Sequence, residues 1–493
     1  MRLEIEPRIW RNEFKKKYGK DPKVLLIGNV ANNAYQFAKA LNGNKIDCDV
    51  LCNDYYHIMG TPEWDDAEIE GEIENQFFPN FDAVNLHGYK RPKWFAQGPM
   101  LDVVDYLTAR RKNKLLGFFA WKKLERIRQY VIKNKGELPL KSRERNCIVP
   151  EENYREYWKR KLTEEWAACF PDRKPIEWTP VCDMFLNTGY TIQPLLAHYD
   201  IVAAFGESVL IPYFAGCQRY LSFEHGTIRE YPTSEKELSN LAMLAYAKSS
   251  VLINTNIDKD CYHAAKYITG NSKTVHFCGL HGIGVDELIN WNATECKISL
   301  RSRLGIPKDE SIIFCPVRND YKKGVDKIHT ALRMVAEDGN KFIAVMVNHG
   351  SDHDKFKNEI DNDHVLKKHI RWVEPFPKRE FIDAIHDSDI VLDQFAYEGF
   401  GGISIETMTS KKAVLISHAN DKNLMKEWFS SPYPILEANS AEEIKDKIEV
   451  VIKDKGKARE IAERQFQWVC REHSTEKISR RFCGALKLTM DGE

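Results

Sequence analysis

The sequence lacks several features that would place the protein in a specialised class. Its 72 basic and 72 acidic residues give a formal net charge of zero, so no overall positive field favours nucleic acid. No segment approaches 18 consecutive apolar residues, and the charged residues 1–20 do not resemble a signal peptide. The twelve cysteines include no Cys-x-x-Cys pair, which argues against zinc ribbons and thioredoxin chemistry. We therefore expect a cytoplasmic protein with reduced, buried thiols.

Short apolar, β-branched segments alternate with helical patterns along most of the 493 residues, a length that exceeds one ordinary core. Continuous apolar strands separated by amphipathic helices are typical of parallel sheets covered on both faces. The first series of predicted strands lies at 23–30, 48–52, 81–87, 199–205, 219–226, 249–256 and 273–280. The second series lies at 311–317, 342–348, 370–376, 389–395 and 413–419. The pattern predicts an α/β protein with two doubly wound, Rossmann-like domains.

We predict an N-terminal domain over residues 1–290 and a C-terminal domain over residues 291–469. Residues 91–180 interrupt the first series of strands, are rich in Trp, Lys and Arg, and are predicted to form a helical insertion. Its segment from Arg110 to Arg145 contains thirteen Lys or Arg residues against three Glu. Such a basic amphipathic segment can lie on an anionic membrane surface. A pair of inserted helices with a solvated basic face is the alternative.

Two polar segments follow strands of the second series, where open parallel sheets bind their ligands. In residues 316–328, Arg318 and Lys323 could converge on one anion, and two cations match the charge of a diphosphate. Residues 347–356 contain several His and Asp residues but no metal-ligand set of fixed geometry. A polar loop with a helix cap at Ser351 or Asp352 is the interpretation we adopt for that segment.

A third segment, YEGFGGISIETM at 397–408, places Glu398 and Glu406 around a glycine-rich turn. Glycines allow backbone N–H groups to approach a phosphate, which would repel both carboxylates. A carboxylate instead accepts two hydrogen bonds from a vicinal diol, so the glutamates are predicted to bind hydroxyls on opposite sides of a diphosphate. Alternatively, Glu406 complements the helix dipole and Glu398 caps the turn.

These segments together resemble the retaining GT-B glycosyltransferases of family 4 (glycosyl transferases group 1). The resemblance rests on the Glu-x7-Glu spacing, on PVRNDYKKG about 75 residues earlier, on DAIHDSDIVLDQF, and on the segments 277–288 and 464–482. It covers residues 23–90 and 199–483. It implies a GT-B architecture, with two Rossmann-like domains facing a central cleft and a C-terminal helix, at 470–493, packed back on the first domain.

The resemblance also implies an activity. The chain would be a retaining, metal-independent hexosyltransferase of polysaccharide or glycoconjugate biosynthesis. It would need no cofactor, since the nucleotide sugar is a substrate, and its acceptor would be a glycan or a lipid-linked glycan. Together with the basic insertion, this suggests a cytoplasmic enzyme with peripheral contact to the inner face of a membrane, and no nucleic-acid partner.

Roles for individual residues follow from the same resemblance. Arg318 and Lys323 would bind the diphosphate, Glu398 would hold the transferred sugar, and His225 would lie near the reacting sugar as the fourth catalytic residue. Otherwise a single histidine at a strand end is more often a structural hydrogen-bonding group. Glu406 would bind the ribose. The remaining donor contacts would come from the backbone of Gly399, Phe400, Gly401 and Gly402, and the acceptor would face Gly28 and Asn29.

Two other functional classes remain open from the sequence. A catalytically silent subunit could bind nucleotide sugars on the same fold, and so could an epimerase or a phosphorylase. The presence of both cations and both glutamates argues against the silent subunit. The sequence names neither the donor base, the sugar, the acceptor nor the linkage.

Overall fold

The chain forms two parallel sheets, each with helices on both faces. The computed structural model describes residues 4–53, 55–117, 119, 147–256, 258–270, 275–278, 282, 284–293, 299–399 and 401–491. The first sheet contains β1 (Lys23–Ile27), β2 (Asp47–Asn53), β3 (Phe95–Gly98), β4 (Ile201–Phe205), β5 (Leu221–Glu224), β6 (Val251–Asn254) and β7 (Val275–Cys278). The second contains β8 (Ser311–Cys315), β9 (Phe342–Val347), β10 (Ile370–Val373), β11 (Ile390–Leu392), β12 (Val414–Ser417) and β13 (Leu436–Glu437).

The helices lie between these strands in chain order. Those up to β7 are α1 (Pro7–Tyr18), α2 (Asn33–Gly43), α3 (Pro62–Asp66), α4 (Met100–Arg111), α5 (Glu152–Cys169), α6 (Pro180–Leu196), α7 (Leu210–Phe214), α8 (Glu237–Lys248) and α9 (Lys259–Thr269). Those after β7 are α10 (Val285–Ala293), α11 (Leu300–Arg303), α12 (Val325–Glu337), α13 (His353–Asp361), α14 (Lys378–Asp387), α15 (Gly402–Met408), α16 (Lys422–Trp428), α17 (Ala441–Lys453), α18 (Lys455–Glu472) and α19 (Thr475–Asp491).

The strand order of each sheet indicates where a ligand is expected to bind. The orders are β3-β2-β1-β4-β5-β6-β7 and β10-β9-β8-β11-β12-β13, and neighbouring strands within each sheet are parallel. The direction of winding therefore reverses between β1 and β4 and again between β8 and β11. Open sheets of this kind bind ligands at the carboxyl ends of the strands beside such a reversal. The predicted fold, two doubly wound α/β units, is confirmed.

Helix sequences show why these segments pack as they do. In α12 the buried residues recur every three or four positions, as Val325, Ile328, Leu332 and Val335, so one face of the helix covers the second sheet. The last helix returns to the first sheet, where Phe482 stacks on Phe37 with ring centroids 4.1 Å apart. The predicted boundary at residues 290 and 291 falls between β7 and β8, and it stays a prediction.

One predicted strand was wrong and two strands were missed. Residues 81–87 form no strand; Phe81–Ala83 is a short 3-10 helix, and the Asn80 side chain accepts a hydrogen bond from the Asp82 N–H. Conversely, β3 lies inside the predicted helical insertion, and β13 was not predicted. Both missed strands are short and lie at sheet edges, so they carry little of the continuous apolar pattern that marks central strands.

The insertion at 91–180 is partly described. Trp158 and Trp166 of α5 are buried in the core of the first domain, against residues such as Phe214. These two tryptophans therefore stabilise the fold and are not available to a membrane surface. Most of the basic segment from Arg110 to Arg145 lies outside the described residues. Among the helices that are described, none is long and apolar enough to cross a membrane.

Candidate functional site

Loops from the carboxyl ends of both sheets meet between the two domains. The Arg229 guanidinium, after β5, lies 4.6 Å from the ring centroid of Tyr397, after β11. The rings of His57, after β2, and His349, after β9, have centroids 6.5 Å apart. The candidate site is therefore built from side chains of both domains.

The loop after β8 holds Lys323 against the glutamate motif. Gly324, which ends this loop, has φ +73°, and a Cβ there would lie 2.8 Å from the carbonyl carbon of Phe395, so only glycine fits without a shift. The Phe395 N–H donates to the Lys323 carbonyl at 2.8 Å, and the Lys323 Nζ donates to Gln394 Oε1 at 2.7 Å. The structure thus brings Lys323 and the segment before Glu398 together.

Lys323 lies near two other cations, Arg318 and Arg229. Burial lowers the pKa of Lys323, and repulsion from Arg318 and Arg229 lowers it further, while Asp393 opposes the shift. Arg318 is more than half exposed and lies 3.5 Å from Asp320. Such a grouping of positive charge stabilises an anion that carries two or more charges.

Arg229 was not singled out from the sequence, although a signal existed. It follows a strand end by five residues, as Arg318 follows β8 by three, and it lies on the same loop as His225. Its Nε donates to the Gly226 carbonyl at 2.9 Å, and one of its terminal nitrogens lies 3.3 Å from Asp258. These contacts hold the guanidinium toward Tyr397.

Glu398 has an available carboxylate oxygen. Its Oε2 is buried from solvent and has no hydrogen-bond partner among the residues that the structure describes. The next residue is fixed, because the Gly399 N–H donates to Asn420 Oδ1. Gly401 precedes α15 and Gly402 begins it, whereas the predicted contact Phe400 lies outside the described residues. An unpartnered buried carboxylate oxygen suits a ligand that donates hydrogen bonds.

Glu406 has a different environment from the one expected. Its carboxylate is 3% exposed and forms an ion pair with Lys378, at the start of α14. It lies beyond the first turn of α15, so the alternative in which Glu406 complements the helix dipole is wrong. A ribose would have to share this carboxylate with Lys378, and the ribose-binding role stays a prediction.

Lys378 also connects the two domains. Its Nζ lies 3.9 Å from Asp65 in α3, whose Oδ2 accepts a hydrogen bond from Gln36 Nε2 at 2.6 Å. Burial raises the pKa of Asp65 to about 6, although Lys378 and Gln36 oppose the shift. The buried group therefore contains one lysine between two acids, one acid from each domain.

Asp393 fixes α15 to the strand before it. The Ser404 Oγ donates to Asp393 Oδ2 at 2.6 Å, and burial raises the pKa of Asp393. This carboxylate oxygen is used to hold α15 in place and is therefore not free to bind a ligand.

On the acceptor side, Gly28 and Asn29 shape the loop between β1 and α2. Gly28 has φ +83°, and a Cβ there would lie 2.9 Å from the Ser208 Cβ. The Asn29 side chain is 1% exposed; its Nδ2 donates to Asn32 Oδ1 at 2.7 Å and to the Gly60 carbonyl at 2.9 Å. Both amide hydrogens of Asn29 are therefore used inside the loop, and its direct contact with an acceptor stays a prediction.

His225 directly follows β5 and packs beside two aromatic rings. Its ring centroid lies 5.1 Å from Phe223 and 6.3 Å from Phe205. The preceding residue, Glu224, accepts a hydrogen bond from the Gly226 N–H at 2.5 Å, and burial raises its pKa. The loop that carries His225 also carries Arg229, so it reaches the interdomain site.

The segment 347–356 braces the cation loop. Asp352 precedes α13, as expected for a cap, but its carboxylate accepts from the Tyr321 N–H at 2.9 Å and makes no cap hydrogen bond. The Ser351 N–H donates to Asp320 Oδ1 at 2.6 Å. The described residues contain no group of three or more His, Cys, Asp or Glu side chains that could hold a metal ion.

Comparison with known proteins gives one family match and several structural ones. The sequence profile described as glycosyl transferases group 1 matches residues 297–468. No curated protein matches the chain. Trehalose-6-phosphate synthase OtsA superposes with a TM-score of 0.57 at 12% identity, over 95% of this chain and 99% of its own.

Two further solved structures are similar at lower TM-scores. HepE from Anabaena, in complex with UDP and glucose, gives 0.48 at 17% identity, over 61% of this chain and 81% of its own. A UDP-forming α,α-trehalose-phosphate synthase from Burkholderia xenovorans, in complex with glucose-6-phosphate, gives 0.49 at 12% identity, over 68% and 85% of the two chains.

The matched segment coincides with the second sheet and its helices, and it contains Arg318, Lys323, Glu398 and Glu406. At 12% identity the likeness to OtsA concerns the fold alone, and it extends over both domains. The match to glycosyl transferases group 1 thus concerns the second domain, which carries these four residues.

Proposed function

We propose that this chain is a retaining glycosyltransferase that transfers a sugar from a nucleotide-sugar donor to a glycan or lipid-linked glycan. One observation carries the proposal: Lys323 and Arg229, which lie near Arg318, contact the segment 394–397 that leads into Glu398. The buried Oε2 of Glu398 lacks a hydrogen-bond partner among the described residues. A nucleoside diphosphate supplies the negative charge that the cations stabilise, and a sugar supplies hydroxyl donors for the glutamate. The group 1 match over the same segment supports this reading.

In the reaction, the bond between the sugar and the diphosphate breaks, and negative charge develops on the departing phosphate. Lys323, Arg318 and Arg229 stabilise that charge, which is the main electrostatic contribution of the protein. Because these cations supply positive charge that Mg²⁺ would otherwise provide, we expect no metal requirement and no cofactor.

Retention follows, in this proposal, from attack on the same face of the sugar as the departing group. Two carboxylates near Lys323 and the glutamate motif are engaged elsewhere: Asp393 with Ser404 and Glu406 with Lys378. Neither is therefore proposed as a nucleophile. A phosphate oxygen of the leaving diphosphate accepts the proton of the acceptor hydroxyl, while Glu398 and His225 hold the sugar. Contact between the domains excludes water, which competes as an acceptor.

The first experiment is a thermal-shift screen of the purified chain against a panel of nucleotide sugars, since a ligand of the folded state raises its melting temperature. The donors that shift it are then tested for slow release of nucleoside diphosphate, and the anomeric configuration of the product is followed by NMR. A silent binding subunit would give the shift without release, and an epimerase would convert the sugar without release. Absence of any shift and any release across the panel would refute the proposal.

We also propose that the basic part of the 91–180 insertion contacts an anionic membrane surface. Co-sedimentation with liposomes containing anionic lipid would show binding that weakens as the salt concentration rises. Binding that does not depend on anionic lipid would contradict this part of the proposal.

A further inference from the structure

A second recess lies on the first domain, beside the interdomain site. It has a volume of about 300 Å³ and is lined by Tyr56, Thr61, Phe78, Pro79, Phe81, Arg91 and Gln97. Tyr56 follows β2 and Gln97 belongs to β3, so the recess opens at the carboxyl ends of these strands. This is the edge of the sheet at which ligands of doubly wound folds bind.

Aromatic side chains dominate its wall. The rings of Tyr56 and Phe78 lie 5.8 Å apart, and Phe77 and Phe78 are 64% and 68% exposed. Two adjacent, largely exposed phenylalanines beside a recess are uncommon on a surface that has no binding role. Recesses that bind small molecules combine such aromatic walls with a few fixed polar groups.

The polar groups of the recess are fixed and carry no net charge. The Arg91 guanidinium donates to both carboxylate oxygens of Glu63 at 2.8 Å and to Gln97 Oε1 at 2.7 Å. Gln97 Nε2 in turn donates to the Tyr55 carbonyl at 2.5 Å. Because Glu63 neutralises Arg91, this arginine is not a free site for a phosphate.

The surrounding segment is strongly acidic. Residues 63–82 contain eight Asp or Glu side chains and no Lys or Arg. Four of the eight form ion pairs with basic side chains from other segments, namely Glu63, Asp65, Asp66 and Glu68. The other four, Glu70, Glu72, Glu74 and Asp82, are exposed and leave an excess of negative charge. This excess of negative charge repels phosphorylated and carboxylated ligands. The ligand that fits is therefore polar, hydroxyl-rich and free of anionic groups.

His57 lies between the aromatic residues beside the recess and the second domain. The ring centroid of His57 lies 5.2 Å from Phe77 and 6.5 Å from His349 of the second domain. A ligand that occupies the recess can therefore extend past His57 toward the position of the cations.

We propose that this recess is an acceptor subsite that binds a saccharide without phosphate or carboxylate groups. The inference rests on the proposed function, since it assigns the acceptor of the same transfer reaction. The apolar faces of sugar rings pack against Tyr56 and Phe78, and the hydroxyls bond to Gln97 and Arg91. The reacting hydroxyl of the acceptor then lies beyond His57, toward the donor.

The test uses the full-length chain, fluorescently labelled, on an array of neutral, amino-bearing, carboxylated and phosphorylated glycans. We expect binding to neutral glycans that falls by about tenfold or more in Phe78→Ala and Tyr56→Ala, because truncated aromatic anchors lose most of their contact. Phe78→Tyr should retain binding. The control is Tyr267→Ala, which removes a half-exposed aromatic residue of α9 in the same domain.

The proposal is overturned by unchanged binding in Phe78→Ala, by a preference for anionic glycans, or by no binding to any neutral glycan. It is also overturned if gel filtration shows a dimer that Phe78→Ala dissociates, because a second copy would then cover the surface. Donor thermal shifts and nucleoside-diphosphate release are measured on the same variants. If these signals are absent from the wild type, the proposed function fails; if they persist while glycan binding fails, only the subsite is wrong.

Discussion

The ammonium group of Lys378 forms an ion pair with the carboxylate of Glu406, so the second glutamate of the motif already has a partner before any donor binds. The carboxylate is buried, and the same lysine lies 3.9 Å from Asp65 in the other domain. The pair therefore links the predicted ribose-binding residue to the contact between the domains.

Replacing Lys378 by Met should destabilise the protein by about 3–5 kcal/mol, because the buried Glu406 carboxylate is left uncompensated. The free energy of unfolding is measured by urea denaturation followed by circular dichroism. The double variant Lys378→Met/Glu406→Gln removes the stranded charge and should recover part of the loss. An unfolding free energy equal to that of the wild type in Lys378→Met would show that the pair is not formed in solution.

Asp65 should make stability depend on pH. Its pKa is raised from 3.8 to about 6 by burial, so the folded state holds the proton more tightly than the unfolded state. Stability from this group is fully present below pH 4 and is lost as the pH rises through 6, by up to about 3 kcal/mol. Asp65→Asn should therefore gain stability relative to the wild type between pH 5 and pH 7.5.

The free energies of unfolding of the wild type and of Asp65→Asn are compared by urea denaturation at pH 5 and at pH 7.5. A difference between the two proteins that stays constant across this range, or that falls at the higher pH, would contradict the assignment to Asp65. Asp82→Asn is the matched control, since Asp82 belongs to the same acidic segment but is exposed and should show no such change.

Lys323 and Arg229 should contribute unequally to turnover. Lys323→Ala should reduce nucleoside-diphosphate release by about 100-fold to 1000-fold, as expected for a group that stabilises transition-state charge. Arg229→Ala should reduce it by about tenfold, because its guanidinium is shared with Asp258. The control Lys322→Ala removes an adjacent, 77% exposed lysine and should change the rate less than about twofold. Equal effects of Lys322→Ala and Lys323→Ala would refute the site.

Glu398 should act on the donor sugar. Glu398→Ala should lower kcat/KM for the donor by about tenfold to 100-fold, the value of a hydrogen bond to a charged group, while binding of the free nucleoside diphosphate is retained. Steady-state kinetics and calorimetric titration separate the two effects. Glu463→Ala, on α18, is the control. If Glu398→Ala weakens binding of the free nucleoside diphosphate as much as binding of the nucleotide sugar, Glu398 does not bind the sugar.

Gly324 should be required for the position of Lys323. Gly324 and Gly339 both have positive φ, +73° and +75°, but only at Gly324 would a Cβ meet backbone atoms of Phe395. Gly339→Ala should therefore lose only about 1 kcal/mol of stability from the left-handed backbone. Gly324→Ala should lose more and should also weaken donor binding in the thermal-shift assay. Equal behaviour of the two variants would show that the contact with Phe395 does not position the loop.

The sequence predicted the central strands because buried parallel strands are continuous apolar runs, as in β1, β8 and β9. It also predicted that the segments carrying Lys323 and Glu398 follow strands of the second series, at the carboxyl ends where open parallel sheets bind ligands. The edge strand β3 escaped prediction because its four residues, FAQG, lack a β-branched or continuous apolar pattern.

The amino-acid sequence alone thus determined the fold class and the segments that carry the candidate donor site, because periodicity and glycine placement are local properties of the chain. Only the tertiary structure decided which charges are paired. Lys378 and Glu406 are 28 residues apart in sequence, and Arg229 meets Tyr397 from another domain. Pairings of this kind depend on which distant loops come into contact, and local sequence patterns do not specify those contacts.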